Sequence, residues 1–325
     1  MSYDILVGLD EIRAAALRLE SHVHRTPVLT SRTLDAQCGG QVFLKCENLQ
    51  RAGAFKFRGA MNAVLQLDDA QRRQGVITHS SGNHGQALAL AGQIASVPVC
   101  VVMPRTAPAV KRAACEGYGA RIVLCEPTLT ARVDTVAREV ETRGYHLVHP
   151  YDDWRIIAGQ ATAALELLDQ SGPLDLLLTP CGGGGLLSGS ALACSALAPS
   201  TKLFGVEPAN ADDARRSLAA GEILPSNDPK TIADGLRTSL GQRTFAVIRR
   251  HVSAIVTSTE SEILDTMQFV FERLKIVIEP SSAVAVAPVL TRQLDVAGKR
   301  VGIILTGGNV DVSPLFDNLR QSWIS

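Results

Sequence analysis

The chain has 325 residues, of which 46% are hydrophobic and 20% charged. That is enough for a buried core in one large or two smaller domains, and it excludes a disordered chain. Lys+Arg and Asp+Glu each number 32, so the formal net charge is zero. This removes the strongest argument for nucleic acid or an anionic membrane as partner and leaves a small molecule as the expected one.

The N-terminal stretch MSYDILVGLDEIRAAALRLE carries acids within its apolar residues and reads as a short helix, not a signal peptide. No run of about 18 uncharged apolar residues occurs, so a spanning helix is not expected. The seven cysteines (Cys38, Cys46, Cys100, Cys115, Cys125, Cys181 and Cys194) form no CxxC pair and are odd in number. They read as reduced thiols in a cytoplasmic protein, with no structural zinc site.

From about residue 75 short apolar runs alternate with helical patterns. Val76-Ile77-Thr78 is a strand, followed by an Ala/Leu-rich helix to about Ile94. Val97 to Met103, Arg121 to Cys125 and Tyr145 to Val148 read as further strands, with helices at Ala109 to Tyr118 and Thr130 to Arg143 between them. Later strands are Leu174 to Thr179, Lys202 to Val206, Ala254 to Thr257 and Arg300 to Leu305, with a loop at Leu224 to Lys230. Continuously apolar strands alternating with helices predict parallel sheets covered on both faces, two sheets rather than one. In such folds ligands bind beyond the carboxyl ends of the strands, so the residues following each strand carry the functional signal.

Five segments stand out. Cys181-Gly182-Gly183-Gly184-Gly185 lies between a strand and the helix Leu186 to Leu197. Four glycines let successive N–H groups converge on a phosphate at a helix N-terminus; a flexible turn or close helix–strand packing is the other use of such a run. Gly53-Ala54-Phe55-Lys56-Phe57-Arg58-Gly59 places a lysine between aromatics. Apolar surroundings favour the neutral amine that attacks carbonyls, whereas taken alone the stretch also suits an amphipathic strand with a solvated lysine. Thr78-His79-Ser80-Ser81-Gly82-Asn83-His84-Gly85-Gln86 offers hydroxyls, an amide and imidazoles at another strand-to-helix junction, a nest for a carboxylate beyond what an N-cap requires. Leu305-Thr306-Gly307-Gly308-Asn309 follows the last strand, and Thr306 offers a neutral hydroxyl to a ring nitrogen or simply ends the strand. Glu207-Pro208-Ala209-Asn210-Ala211-Asp212-Asp213 presents oxygens for a hard cation or an acidic cap for the helix Asp212 to Ala220.

Taken together, these segments resemble the fold-type-II pyridoxal-phosphate enzymes, in the serine/threonine dehydratase branch. The resemblance runs from His24-Arg25-Thr26-Pro27 to Gly307-Gly308-Asn309, with Lys45-Cys46-Glu47-Asn48-Leu49-Gln50 and Ile232-Ala233-Asp234-Gly235 as further landmarks. Ser80-Ser81-Gly82-Asn83-His84-Gly85 leans it toward the serine racemases and 3-hydroxyaspartate dehydratases, and Ala54 departs from the Ser or Thr usual before Phe-Lys. The resemblance implies an α/β fold of two doubly wound domains with mostly parallel sheets, like the tryptophan synthase β chain. Residues 1–52 plus 150–325 would form the large cofactor-binding domain and 53–149 a small mobile domain. It implies a homodimer.

The site residues are likewise what the resemblance implies. Lys56 would form the internal aldimine with pyridoxal 5'-phosphate and take the α-proton. Phe55 would pack on the ring, Asn83 would bond its ring oxygen, Gly182, Gly183, Gly184 and Gly185 would bind its phosphate, and Thr306 would face its pyridine nitrogen. The substrate would be held by Ser80, Ser81, Asn83, His84 and Thr238. Arg132 aligns with an arginine near the mouth of the racemase site, and its other reading is a solvated arginine on a helix. Ser81 matches the second-face acid/base of the racemases. Glu207, the Ala211 carbonyl and Asp213 match a Mg2+ site (or Ca2+ or Mn2+). The activity implied is β-elimination of water from 3-hydroxyaspartate, serine or threonine to a 2-oxo acid and ammonia. Racemisation is the alternative, and a ligand-binding module without turnover the distant one. Tyr151 and Trp154, after a strand, are further candidates for shaping the pocket.

Overall fold

The computed structural model describes residues 4–314 apart from 81 and 108, together with 317 and 320. The described strands are β1 (Val28–Leu29), β2 (Gln41–Cys46), β3 (Val76–His79), β4 (Val99–Pro104), β5 (Arg121–Cys125), β6 (His146–Leu147), β7 (Leu176–Pro180), β8 (Lys202–Pro208), β9 (Ala254–Ser258) and β10 (Arg300–Leu305). They form a six-stranded sheet of order β1-β2-β10-β7-β8-β9 and a four-stranded sheet of order β5-β4-β3-β6. Every pairing is parallel except β1 with β2. In the middle of the large sheet Ile303 stands between Leu44 and Leu178.

Alternate residues of each strand feed separate cores, which is why the strands read as continuously apolar. In the large sheet Leu177, Leu203 and Ile304 face one core, and Leu176, Leu178, Val206 and Ile303 face another. In the small sheet Val76, Val99 and Val101 oppose Ile77, Cys100 and Val102 in the same way. Helices cover both faces, and their ends follow local chemistry. Thr128 caps the helix Leu129–Arg143 by accepting from Ala131 N, and Gly144 closes it at φ 72. Asp153 caps the helix Trp154–Ser171.

The alternation from residue 75 onward is present, with shifted edges. The strand expected from Val97 starts at Val99, because Pro98 has no N–H to donate and its carbonyl accepts from Val76 N at 2.8 Å. β1 and β2 are additional to the strands expected. The stretch around Lys56 is a helix, Lys56–Leu65, and not a strand. One side of that helix meets the helix Asn83–Ala95, and Gly59 lies against the helix Trp154–Ser171. A Cβ on Gly159 would come within 2.6 Å of Gly59 Cα, so the two backbones touch. All seven cysteines are free and buried. No described helix is long and apolar enough to cross a membrane.

Candidate active site

The carboxyl ends of β3, β7 and β10 deliver three of the singled-out segments to one cleft between the sheets. After β7 the chain makes the glycine turn, and Gly184, at φ 84, precedes the helix Gly185–Leu197. Cys181 N donates to Val206 O and Ser188 N to Gly184 O; between them, among the described residues, no N–H from Gly182 to Leu187 reaches a protein acceptor. All of these residues are buried. Consecutive buried donors without acceptors, at a helix N-terminus, fit a bound phosphate. The packing reading of the glycines also holds in part. A Cβ on Gly183 would overlap the Tyr151 ring, and one on Gly184 would lie 2.9 Å from Leu240, Thr244 and Ile248.

Lys56 opens its helix, and its Nζ donates to Pro150 O at 3.1 Å. Burial pushes its pKa down to about 8, against an opposing pull from Glu279. Phe55 lies with its ring centroid 5.2 Å from that amine, and its N–H donates to Thr306 O at 3.0 Å. Thr306 is 3% exposed and its hydroxyl has no partner. An orphaned neutral hydroxyl at this strand end fits a ring nitrogen.

Asn83 begins the helix after β3. Its amide Nδ2 donates to both oxygens of Glu279, at 2.8 and 3.0 Å, and its Oδ1 accepts from Asn309 Nδ2 at 2.9 Å. Burial raises the Glu279 pKa to about 7. Glu279 was not among the expected site residues. Its signal is a single acid within the apolar run from Ile276 to Leu290, interrupted otherwise only by Pro280, Ser281, Ser282 and Pro288.

His84 is buried with neither ring nitrogen in hydrogen-bond geometry, and burial and then Lys56 hold its pKa well below the usual imidazole value. It is a neutral imidazole. Ser80 Oγ accepts from Gly82 N at 3.2 Å. Ser81 lies outside the described residues. His149 accepts from Asp152 N at 2.9 Å through Nδ1, so its remaining proton is on Nε2. Its ring stands edge-on to His79 at 5.9 Å and to Tyr151 at 4.6 Å. Tyr151 Oη lies 3.1 Å from Thr238 Oγ1, which brings Thr238 to the glycine loop. Of the two aromatics expected to shape the pocket, Tyr151 covers Gly183, whereas Trp154 packs against the core under the large sheet.

Arg132 sits half-buried on the helix Leu129–Arg143, with its Nε shielded from solvent and without a partner among the described residues. The freely solvated reading does not describe it. Its charge, after burial and His149, helps press the His79 pKa down to about 4.

The acidic segment lies after β8. Glu207 performs the capping role: its oxygens accept from Ala214 N at 2.9 Å and Arg215 N at 2.8 Å. Asp212 pairs with Arg215 and Arg216. Asp213 is fully buried with neither carboxylate oxygen partnered. No N–H among the described residues donates to the Ala211 carbonyl. Burial and then Asp213 raise the Glu207 pKa to about 8; burial raises that of Asp213 to about 6. Two buried acids and a free carbonyl suit a hard cation. Among the described residues no group of three or more His, Cys, Asp or Glu converges, so water would complete such a shell.

What separates this cleft from a nucleotide site is the buried amine beside the row of free amides. Phosphate binding and carbonyl capture in one place define an enzyme that works through a phosphorylated aldehyde. The chain belongs to the family of pyridoxal-phosphate dependent enzymes, whose family model matches residues 19–307. It is 48% identical over 306 residues to a beta-hydroxyaspartate dehydratase of Paracoccus denitrificans, covering 94% of this chain and 97% of that one. It is also 48% identical to an L-threo-3-hydroxyaspartate ammonia-lyase of Saccharomyces cerevisiae, covering 93% of each chain. The crystal structure of serine racemase from Dictyostelium discoideum superposes with a TM-score of 0.90 at 47% identity, covering 94% of this chain and 99% of that one.

Proposed function

We propose that this chain removes water from a small 3-hydroxy amino acid, with 3-hydroxyaspartate as the preferred substrate, releasing a 2-oxo acid and ammonia. The observation that carries the reading is the Lys56 amine, its pKa brought by burial to about 8 so that about half of it is neutral at that pH, bonded to the Pro150 carbonyl beside the Tyr151 ring that covers the glycine loop with its free amides. Two of the relatives bear hydroxyaspartate names.

When bound, pyridoxal phosphate supplies the electron sink that makes the α-proton of an amino acid removable. The amides from Gly182 to Leu187 would hold its phosphate, and the unpartnered Thr306 hydroxyl would meet its ring nitrogen. Lys56 would be the residue that holds the cofactor's aldehyde, and its Nζ would serve as the general base for the α-proton. Asn83, fixed between Glu279 and Asn309, would orient the ring oxygen. The helix N-terminus after Gly82, with Ser80, Ser81 and neutral His84, receives the substrate carboxylate. The small domain, 53–149, closes over the cleft and excludes water; the Lys111–Asp234 ion pair already spans from its helix Ala109–Gly117 to the large lobe. The test is release of 2-oxo acid from serine, threonine and the four 3-hydroxyaspartate stereoisomers. At least one hydroxyaspartate isomer should be turned over faster than serine, and silence on all six substrates would end the reading.

The likeness to serine racemase supports a second activity at the same site, with Lys56 and Ser81 on opposite faces of the α-carbon. Replacing Ser81 with Ala should suppress D-serine formation more than water elimination from L-serine, as followed by chiral chromatography.

The proposal includes a divalent cation, Mg2+ first, on Glu207, the Ala211 carbonyl and Asp213. Magnesium at ~100 times its dissociation constant should stabilise the folded chain by about 2.7 kcal/mol, a rise of several degrees in melting temperature. In Asp213→Asn that rise should vanish. An equal rise in the variant would place the cation elsewhere.

A further inference from the structure

Behind the lysine helix four ionisable side chains are enclosed together: Lys45, Glu47 and Arg58, each fully buried, and Glu166, 14% exposed. Arg58 Nε and Nη2 donate to the two oxygens of Glu47, both at 2.8 Å. Its Nη1 and Nη2 donate to the two oxygens of Glu166, at 2.7 and 2.9 Å. Lys45 Nζ donates to Glu166 at 2.6 Å and to the Thr26 carbonyl and Gln170 at 2.8 Å each. Thr26 Oγ1 donates to Glu47 at 2.6 Å. Two cations face two anions, so the group is neutral as a whole.

Stability alone is a weak reason for such a cluster, since apolar side chains of similar volume often serve as well or better. Arg58 is also placed against the helix field. It occupies the first turn of Lys56–Leu65, where a positive charge opposes the dipole. The same helix has Phe55 at its N-cap and no side-chain cap. The turn that bears Lys56 has no cap from its own N-cap side chain; Gln160 Oε1 accepts from Gly59 N at 3.3 Å, and the Arg58 fork is its one charged anchor among the described residues. Two positions along a helix differ by about 200° in azimuth, so Arg58 points away from the cleft when Lys56 points into it. Gly59 fixes the depth, because a Cβ there would overlap Gln160.

We propose that Arg58, gripped by Glu47 and Glu166, is a positioning residue that sets the rotation and height of the first helical turn and so aims the Lys56 amine. This rests on Lys56 being the cofactor lysine. That premise is checked first and separately, by borohydride reduction and peptide mapping of the wild-type protein; a tag on another lysine removes the premise and with it the proposal.

Three variants then test the positioning: Arg58→Lys, Glu47→Gln and Glu166→Gln. Two quantities are measured on cofactor-free protein. One is the rate at which the visible absorbance band of lysine capture grows after pyridoxal phosphate is added. The other is the affinity for pyridoxine 5'-phosphate, which has the ring and phosphate but no aldehyde, by calorimetry. Misaiming the amine should slow capture at least ~5-fold while leaving analogue affinity within about 2-fold. Capture slowed by less than that, or analogue affinity falling beyond that limit, would overturn the proposal, since a merely structural role damages the whole pocket. If Arg58→Lys and Glu47→Gln do not fold, Glu166→Gln, at the partly exposed edge of the cluster, decides by the same criterion.

Discussion

Lys56→Ala should lower 2-oxo acid release by at least ~10³-fold and abolish the borohydride-fixed cofactor, because under the proposed function one amine would both hold the aldehyde and move the α-proton. Cofactor affinity should fall far less, since the loop amides and Thr306 remain. A variant that keeps a tenth of wild-type turnover would assign the base elsewhere. The same amine predicts a pH dependence. With its pKa lowered to about 8 by burial, cofactor-free protein should capture aldehyde faster as pH rises and level off above pH 8, where an exposed lysine would still be gaining. The stability consequence follows from linkage. Between pH 8 and 10.5 the unfolded lysine keeps its proton and the folded one has lost it, so stability rises with pH across that window. Below it the buried charge is a full burden. Lys56→Met should therefore stabilise cofactor-free protein at pH 7 by up to about 3 kcal/mol, with the advantage shrinking toward pH 10.5. Denaturant melts at the two pH values check this, and a Lys56→Met protein less stable at pH 7 would contradict a buried, unneutralised amine.

Much of this architecture was legible in the sequence because each βα junction states its own chemistry. The glycines after Thr179-Pro180 and the polar run after Thr78 mark strand ends by composition alone, and they converge because parallel strands present their carboxyl ends to one side. β2 was not legible for a physical reason. Lys45 stands one residue before its end and interrupts the apolar run; only the Thr26 carbonyl and the side chains of Glu166 and Gln170, the last two more than a hundred residues away, make a lysine tolerable there. Glu279 escaped for the complementary reason. A lone acid in an apolar run could cap a helix or end a strand; its value appears only when Asn83 and Asn309 are brought beside it from distant segments. Around Lys56 local pattern suited a strand, but the neutral charge cluster and the Gly59–Gly159 contact require a helix. Glu207 shows that both sequence readings of one segment can hold at once: it caps the helix Asp213–Ala220 while Asp213 keeps its oxygens free.

Specificity should turn on Arg132. The distal carboxylate is what separates 3-hydroxyaspartate from serine and threonine, and it calls for a planar pair of donors. Four other groups near the histidine chain are poor candidates. His79 is held neutral to about pH 4 by burial, His149 and Arg132. His149, with its Nδ1 accepting from backbone donors, offers a single N–H on Nε2 and not a planar pair. Tyr151 and Thr238 spend their hydroxyls on each other. Arg132 alone among these brings a permanent charge and a shielded Nε without a partner, and an unpaired buried donor is a group awaiting an acceptor. Arg132→Ala should therefore cut kcat/KM for hydroxyaspartate by about 100-fold, the worth of a charge-assisted pair of hydrogen bonds, while changing serine by less than ~3-fold. Arg132→Lys, which keeps the charge and loses the fork, should fall between, near ~10-fold. The pattern across substrates is what decides. An arginine that only braces the helix Leu129–Arg143 would depress all three substrates alike, and an unchanged preference among them would take the carboxylate-reading role away from this residue.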